Sequence, residues 1–200
     1  MEREMEKIAG TVEEIGFHSE ESGFTVLYVD VNGELVTVVG EVADIAEGEE
    51  IAATGRFRVH GTYGMQFKAE LIERTLPATA GAIRKYLSSG AVKGVGPALA
   101  GRIVARFGDS TLEIIEKEPD RLTEIRGISA RKAEEIGEEY RRLFGIRSVM
   151  SLLTSLGLPA AVAIRVWRRW GAGTAHQLET DPYALGGRGD GAGPVPHLRL

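Results

Sequence analysis

Two short glycine-containing turns constrain the fold of this 200-residue chain more than any other feature of its sequence. Gly94-Val95-Gly96-Pro97 and Gly127-Ile128-Ser129-Ala130 each follow an apolar stretch with helical spacing and each precede a second helical stretch. Glycines at 94 and 96 are expected to allow a backbone with positive φ. Pro97 suits the first residue of a helix, where its missing N–H is not needed. Each segment therefore predicts two helices joined by a tight turn.

Such a helix-hairpin-helix places free backbone amides and a helix N-terminus at one point, which makes the turn an anion site. The two turns lie 33 residues apart, so the chain repeats the motif. Val95 and Ile128 are expected to fill the gap between the paired helices, while Ala100 and Ala133 let the helices pack closely. We interpret the two motifs as binding the phosphate backbone of DNA without reading base edges. The predicted DNA-binding residues are Lys93, Gly94, Val95, Gly96, Ala98 and Arg102 in the first motif, and Arg126, Gly127, Ile128, Ser129, Ala130, Arg131 and Lys132 in the second.

The glycine turns permit two other interpretations. A dinucleotide-binding turn requires a preceding strand and a small residue at position 99, but that residue is Leu99 and residues 83–87 have helical spacing. A purely structural helical hairpin is the second alternative. It predicts no salt-sensitive binding to DNA, which distinguishes it from the phosphate-binding interpretation.

The distribution of charge favours DNA binding although the net charge is −5. Residues 1–76 contain 6 basic and 16 acidic side chains. Residues 77–107 surround the first turn and contain no acidic side chain and five basic ones, which are Arg84, Lys85, Lys93, Arg102 and Arg106. Because lysine and arginine supply the contacts to phosphate, this is the segment where we expect the backbone to bind.

Composition excludes several classes of function. The chain has no cysteine, which excludes disulfides and thiolate metal sites. The four histidines lack ligand spacing, and no signal peptide or apolar run of membrane-spanning length is visible. No acid–base pair or activated nucleophile stands out. We therefore expect a cytoplasmic protein with no membrane contact, no catalytic residues, and no metal or cofactor site in this chain.

The predicted fold class is α+β, with a small β-barrel followed by an all-α domain. Residues 1–76 alternate apolar and polar side chains over five short strands, at 8–15, 24–31, 35–42, 50–59 and 66–74. Asn32-Gly33 is a strong hairpin signal. Five short strands in about 70 residues are typical of an oligonucleotide-binding (OB) barrel. Its aromatic residues permit contact with nucleic acid, but its acidity equally suits docking of a protein partner.

Residues 77–185 are predicted to form the tandem helix-hairpin-helix domain. A helix is expected at Thr111–Lys117, capped by Ser110 or Asp109, and Ser129 is expected to cap a long helix that ends at Phe144. Residues 148–156 and 160–170 predict a third helical pair. Pro159 in its turn has no N–H, so that turn is expected to be structural. Residues 186–200 are rich in glycine and proline and predict a disordered tail.

Several motifs in order resemble the N-terminal region of bacterial RecD-like DNA helicases, in the branch with a long N-terminus. They are residues 17–27 (FHSEESGFTVL), 59–68 (VHGTYGMQFK), 85–90 (KYLSSG), the first turn, and 181–185 (DPYAL). The resemblance implies an OB-like domain, a helix-hairpin-helix domain, and then a motor that moves 5′ to 3′ along single-stranded DNA with ATP and magnesium. It also implies a monomer that acts in DNA repair and recombination.

The chain departs from the family in two ways. It contains no Gly-x-x-x-x-Gly-Lys-Ser/Thr loop, so it should be inactive as an ATPase on its own. The family's Pro-Tyr-x-Leu segment leads into a further helix-hairpin-helix, which is missing here. We expect a sequence truncated or frame-shifted before the motor. The alternatives are an accessory protein resembling RuvA, which binds Holliday junctions, and a docking module in which the hairpins only pack.

Overall fold

The computed structural model describes residues 4–171. The predicted disordered tail at 186–200 and the motif at 181–185 lie outside these residues, as does the end of the predicted helical domain. No helix in the described range combines the length and the hydrophobicity that a membrane-spanning segment needs.

Five strands form a closed barrel, as the alternating pattern predicts. They are β1 (Glu6–His18), β2 (Phe24–Val31), β3 (Glu34–Glu41), β4 (Glu50–His60) and β5 (Gly64–Thr75). The strands follow one another around the barrel in the order β1-β2-β3-β5-β4, and β1 closes it against β4. The β3–β5 pair is parallel and the other pairs are antiparallel. The fold is therefore an OB-like barrel.

Strand β1 is longer than predicted because it pairs with two neighbours in succession. Its first half, from Glu6 to Thr11, pairs with β4, and its second half, from Thr11 to His18, pairs with β2. The pairing with β2 has an irregular register after Val12 and after Ile15. The predicted turn between β2 and β3 is present, with φ of 54° at Asn32 and 88° at Gly33.

The barrel has its own apolar core, which the inward-facing residues of alternate strand positions supply. The side chains with no solvent exposure are Val12, Leu27, Val29, Val38, Ala53 and Phe67. Phe57 packs its ring against that of Phe67 in an edge-to-face arrangement, with 5.0 Å between the ring centroids.

Up to residue 171, five α-helices follow the barrel. They are α1 (Ala80–Ser88), α2 (Pro97–Phe107), α3 (Thr111–Lys117), α4 (Ala130–Ser155) and α5 (Ala160–Trp170), with 3-10 helices at Gly108–Ser110 and Pro119–Glu124. The expected helix at Thr111–Lys117 has the predicted bounds. The expected helix end at Phe144 is wrong, because α4 runs unbroken for 26 residues. Its second half continues since Val149, Met150 and Leu153 bury themselves in an apolar cluster with α5.

The predicted cap of α3 is also wrong. Neither Ser110 nor another side chain caps that helix. Asp109 instead accepts a hydrogen bond of 2.6 Å from the backbone N–H of Ala80, at the start of α1. Its carboxylate thus satisfies a free amide of a different helix, a contact that sequence spacing does not indicate.

The barrel and the helices contact each other through backbone and charge. Gly48, in the loop before β4, has a φ of +86°, and a Cβ there would lie 2.5 Å from the carbonyl oxygen of Ala82 in α1. Lys85 of α1 forms an ion pair with Glu13 of β1. On the barrel side Glu49 is buried, and it pairs with Arg74 of β5 and with Arg147 of α4. These contacts fix how α1 and α4 meet the barrel.

Candidate nucleic-acid interface

The first predicted turn is a four-residue reversal between α1 and α2. The N–H of Val95 donates to the carbonyl oxygen of Val92 at 3.2 Å, which closes the turn around Lys93 and Gly94. Gly94 has a φ of +92°, as predicted. Gly96 does not have the predicted positive φ, since it is extended at −94° and serves as the N-cap of α2. Only Gly94 therefore needs glycine for its backbone conformation.

The second turn repeats the geometry of the first. The N–H of Ile128 donates to the carbonyl oxygen of Ile125 at 3.1 Å, and Gly127 has a φ of +94°. Ser129 is the extended N-cap of α4. In both turns the residue before the glycine is basic and exposed, Lys93 in one and Arg126 in the other. The two motifs are thus copies in three dimensions as well as in sequence.

The aliphatic residue after each glycine anchors its turn to the helical core. Val95 is 4% exposed and Ile128 is 5% exposed, and both belong to the apolar cluster shared by α1 to α4. Ala100 and Ala133, one turn into the following helices, have no exposed surface. This is the packing that the sequence predicts, so Val95 and Ile128 hold the turns in shape and leave contact with a ligand to their neighbours.

The two helices that follow the turns differ in how their first amides are satisfied. The side chain of Ser129 accepts a hydrogen bond of 3.2 Å from the N–H of Lys132, which caps α4 as predicted. Gly96 has no side chain, and α2 has no side-chain cap. The first two residues of α2, Pro97 and Ala98, are exposed. A Cβ at Gly96 would meet nothing within 4 Å, so the fold itself does not require glycine there.

The first turn and the start of α4 open onto one shallow groove. Lys93 and Gly94 line it from the first turn, and Ser129, Arg131 and Lys132 line it from the start of α4. The structure therefore brings together side chains from both predicted motifs. Glu135, Ile136 and Glu139 complete the lining.

The acidic residues in this groove are paired with arginines. Arg131 forms an ion pair of 3.1 Å with Glu135, and Arg142 forms one of 2.8 Å with Glu139. The hydrogen bond from Arg142 lowers the pKa of Glu139, and the charge of Lys93 lowers that pKa by a smaller amount. Sequence reasoning missed Glu135 and Glu139 as groove residues. They lie four and eight residues after Arg131, which places them on one face of α4. This spacing is the sequence signal that could have identified them.

Arg102 lies at a different turn from the one predicted. Its Nη1 donates to the carbonyl oxygen of Arg126 at 2.8 Å, so its charge sits at the second turn instead of the first. Two other cations of the basic segment 77–107 are used in ion pairs, Lys85 with Glu13 and Arg106 with Glu124. Among the described residues, Arg84 and Lys93 are the members of that segment with no carboxylate or carbonyl partner.

The third turn, between α4 and α5, shares the left-handed glycine but differs in its hydrogen bonds, since the N–H of Leu158 donates to the carbonyl oxygen of Leu153. Gly157 has a φ of +82°, and Leu158 is buried after it. Pro159 stands at the N-cap of α5, where it offers no N–H. Leu156 replaces the basic residue of the other turns. The geometry fits the predicted structural role.

Comparisons with known proteins match the barrel and the helical part of the chain to separate families. Residues 5–77 match the family described as the OB-fold domain of the ATP-dependent DNA helicase YrrC. Residues 79–142 match the SAM-like helix-hairpin-helix tandem family. A curated protein of Deinococcus radiodurans, the ATP-dependent RecD2 DNA helicase, is 26% identical over 187 residues. That alignment covers 90% of this chain and 26% of the length of the relative.

Proposed function

We propose that this chain, whose residues 5–77 match the OB-fold domain of a DNA helicase family and whose residues 79–142 match a helix-hairpin-helix tandem family, holds the phosphate backbone of DNA at its two glycine turns. One observation carries the proposal. The first turn, through Lys93 and Gly94, and the start of α4, through Ser129, Arg131 and Lys132, line the same groove. A helix N-terminus beside exposed cations is suited to a phosphate of a strand.

At the first turn, the amides around Gly96 and Ala98 bind one phosphate, and Lys93 adds its charge. Gly96 has no side chain, its backbone is extended and the space above it is open. Glycine is a favoured N-cap residue, and here its missing side chain also leaves room for a phosphate to approach the amides. The uncapped N-terminus of α2 supplies the amides and the positive end of the helix dipole.

At the second turn, the amides of Ser129 and Ala130 bind a neighbouring phosphate. Arg126, Arg131 and Lys132 add charge, and Arg102 joins them through its bond to the carbonyl oxygen of Arg126. These contacts reach only the sugar-phosphate backbone, so binding depends weakly on base sequence.

We further propose that this DNA-holding region serves an ATP-dependent helicase that moves 5′ to 3′ in DNA repair and recombination. The Deinococcus relative is an ATP-dependent DNA helicase, and this chain spans 26% of that protein. The 200 residues contain no phosphate-binding loop of the Gly-x-x-x-x-Gly-Lys-Ser/Thr type, so they do not form that kind of binding site for ATP and magnesium. The motor chemistry therefore belongs to other parts of such a protein.

The test compares two glycine-to-leucine substitutions by fluorescence anisotropy with labelled DNA. Gly96→Leu places a side chain where the phosphate is proposed to lie, at a residue whose backbone tolerates it. Gly145→Leu is the matched control, since Gly145 is also exposed with open space around it. Gly145 lies on α4, roughly 24 Å of helix beyond Ser129. Each variant is measured with a single strand, a duplex and a four-way junction.

We expect Gly96→Leu to weaken binding by about tenfold or more, since it removes at least one charge-assisted contact to phosphate, while Gly145→Leu binds as the unmodified chain does. Circular dichroism checks that both variants fold. Equal binding by Gly96→Leu and the unmodified chain means that the turns only pack. A strong preference for the four-way junction, with assembly into tetramers, favours the RuvA-like alternative.

A further inference from the structure

A cleft separates the barrel from the third helical pair, α4 and α5. Its volume is about 480 Å³, and its walls come from residues 41–43 and 70–74 of the barrel and from residues between 150 and 160 of the helices. The barrel and α5 meet closely beside it, since a Cβ at Gly23 would lie 2.8 Å from the Cβ of Ala160. The cleft has the size of pockets that bind ligands, and none of the predicted DNA-binding residues lines it.

The bottom of the cleft is apolar. Four of its side chains are each 7% exposed, and these are Val42, Ile72, Met150 and Leu158. Leu71 also lines the cleft, on the barrel side, and is 43% exposed. Because apolar surface gains free energy when it leaves water, a large apolar side chain from a partner is stabilised in this position.

The barrel wall of the cleft is acidic. Glu41 ends β3, and Glu70 and Glu73 belong to β5. Glu73 pairs with Lys7 at 3.3 Å. Within residues 4–171, the carboxylates of Glu41 and Glu70 take part in no ion pair or hydrogen bond. These two carboxylates are therefore available to a partner.

The positive charge of Arg74, which also lines the cleft, does not offset these carboxylates. Its guanidinium pairs with Asp44 at 3.6 Å and with Glu49 at 3.4 Å, and its side chain is only 10% exposed. The charge of the barrel wall is therefore set by Glu41 and Glu70.

The helical wall of the cleft adds hydrogen-bond acceptors. Ser151, Thr154 and Ser155 line it from the end of α4. The hydroxyls of Thr154 and Ser155 donate to carbonyl oxygens of their own helix, at 2.9 and 2.7 Å, which leaves their oxygen lone pairs as acceptors. The last turn of α4 contains no basic residue, so no side chain of that turn neutralises the negative end of the helix dipole. Both walls therefore favour a cation.

This chemistry selects among possible ligands. Glu41 and Glu70 repel phosphate groups, which disfavours DNA in the cleft. Among the described residues, no group of three or more histidines and carboxylates could hold a metal ion. An apolar bottom between acidic groups and acceptors instead suits a polypeptide, because lysine and arginine carry their charge at the end of an aliphatic stem.

We propose that the cleft binds a protein segment in which lysine or arginine residues flank a large apolar residue. The apolar side chain packs against Leu71 and the bottom of the cleft, and the cations pair with Glu41 and Glu70. Complementary charge of this kind directs a partner to one surface and selects against others. The interaction goes beyond the proposed function, because DNA is held at the glycine turns and the protein segment beside the barrel.

The test measures the fluorescence anisotropy of a labelled peptide, lysine-arginine-leucine-leucine-lysine-arginine, with the full chain at physiological salt. The double variant Glu41→Gln/Glu70→Gln removes both carboxylates of the barrel wall. The matched control is Glu14→Gln/Glu34→Gln, which removes the same charge from two exposed acids of β1 and β3 that lie outside the cleft. We expect the Kd of the peptide to rise about tenfold in the first double variant and by less than about twofold in the control.

A second peptide and a second pair of variants test the apolar contact. Replacing both leucines of the peptide by serine should weaken its binding to the unmodified chain by about tenfold or more. Leu71→Ala should raise the Kd of the leucine peptide about fivefold. Leu35→Ala is the control, at another exposed apolar residue of the barrel, and should leave that Kd unchanged. Circular dichroism checks that every variant folds.

The outcomes separate this proposal from the proposed function. Equal losses of peptide binding in the two double variants overturn it, since the attraction then depends on net charge alone, and so does an absence of peptide binding by the unmodified chain. Loss of DNA binding in Glu41→Gln/Glu70→Gln also overturns it, because the cleft then belongs to the DNA site. Gly96→Leu should bind the peptide as the unmodified chain does. Unchanged DNA binding in Gly96→Leu rejects the proposed function and leaves the cleft as a protein-binding site.

Discussion

The carboxylate of Glu49, at the edge of the barrel, is buried against the guanidinium of Arg147 on α4, which lies 98 residues later in the chain. Glu49 also pairs with Arg74 Nε at 3.4 Å and accepts a hydrogen bond of 2.6 Å from the N–H of Ala46. Burial lowers the pKa of Arg147 to about 10 and lowers that of Arg74. The buried carboxylate of Glu49 therefore connects the barrel loop to β5 and to α4.

Replacing Glu49 by glutamine should destabilise the protein by about 3–5 kcal/mol, because it leaves the buried guanidinium of Arg147 without its carboxylate partner and leaves Arg74 with Asp44 alone. Glu113→Gln is the control, since Glu113 pairs with Lys117 on the surface, and its loss should cost less than about 1 kcal/mol. Urea unfolding followed by circular dichroism measures both. Equal midpoints for the two variants would show that the buried ion pairs contribute nothing.

The two glycines of the first turn should respond differently to alanine. Gly94→Ala should lower the free energy of unfolding by about 1–2 kcal/mol, because its φ of +92° strains an L-residue. Gly96→Ala should change that free energy by less than about 1 kcal/mol, since its φ is −94° and its Cβ has room. Paired urea titrations measure the difference. A larger loss at Gly96 than at Gly94 would contradict the conformations described for this turn.

Binding of DNA should weaken with salt, and Lys93 should account for part of the dependence. If Lys93 contacts one phosphate, Lys93→Ala should reduce the slope of log Kd against log salt concentration by about 0.7–0.9. Lys117→Ala serves as the control, because Lys117 is exposed and paired with Glu113 away from the groove. Titrations of labelled DNA at several salt concentrations give the slopes. An unchanged slope in Lys93→Ala would remove Lys93 from the interface.

Alkaline pH should weaken the helical core through Tyr86 and Tyr140. Burial raises the pKa of each tyrosine to about 12 from the usual 10. The folded protein therefore holds these protons more tightly than the unfolded chain does, so the stabilisation is complete below pH 10 and is lost as the pH rises from 10 to 12. Thermal unfolding at a series of pH values measures the loss. The double variant Tyr86→Phe/Tyr140→Phe should show a smaller decline over the same range.

Local sequence patterns were sufficient for much of the fold. Alternation placed the five strands, and Asn32-Gly33 fixed one hairpin. The repeated turns were recognisable because each needs a left-handed glycine followed by a buried aliphatic residue. The same reasoning failed at Gly96, since an extended N-cap and a left-handed turn both favour glycine. The φ angle in the structure distinguishes the extended N-cap from the left-handed turn.

Contacts between distant segments could not be predicted. No spacing rule relates Glu49 to Arg147, Asp109 to the amide of Ala80, or Arg102 to the carbonyl of Arg126. Each depends on how the helices settle on the barrel. The basic segment at 77–107 illustrates the consequence, because the sequence shows its charges but not that Lys85 and Arg106 are already paired.

Helix α4 begins at the second turn and continues without a break to the barrel. Ser129 is its N-cap and lies at the groove, and Arg147 contacts the barrel about 27 Å further along the helix axis. One continuous α-helix therefore joins the buried contact at Glu49 to the start of the groove, and the position of the groove relative to the barrel is set along a single element.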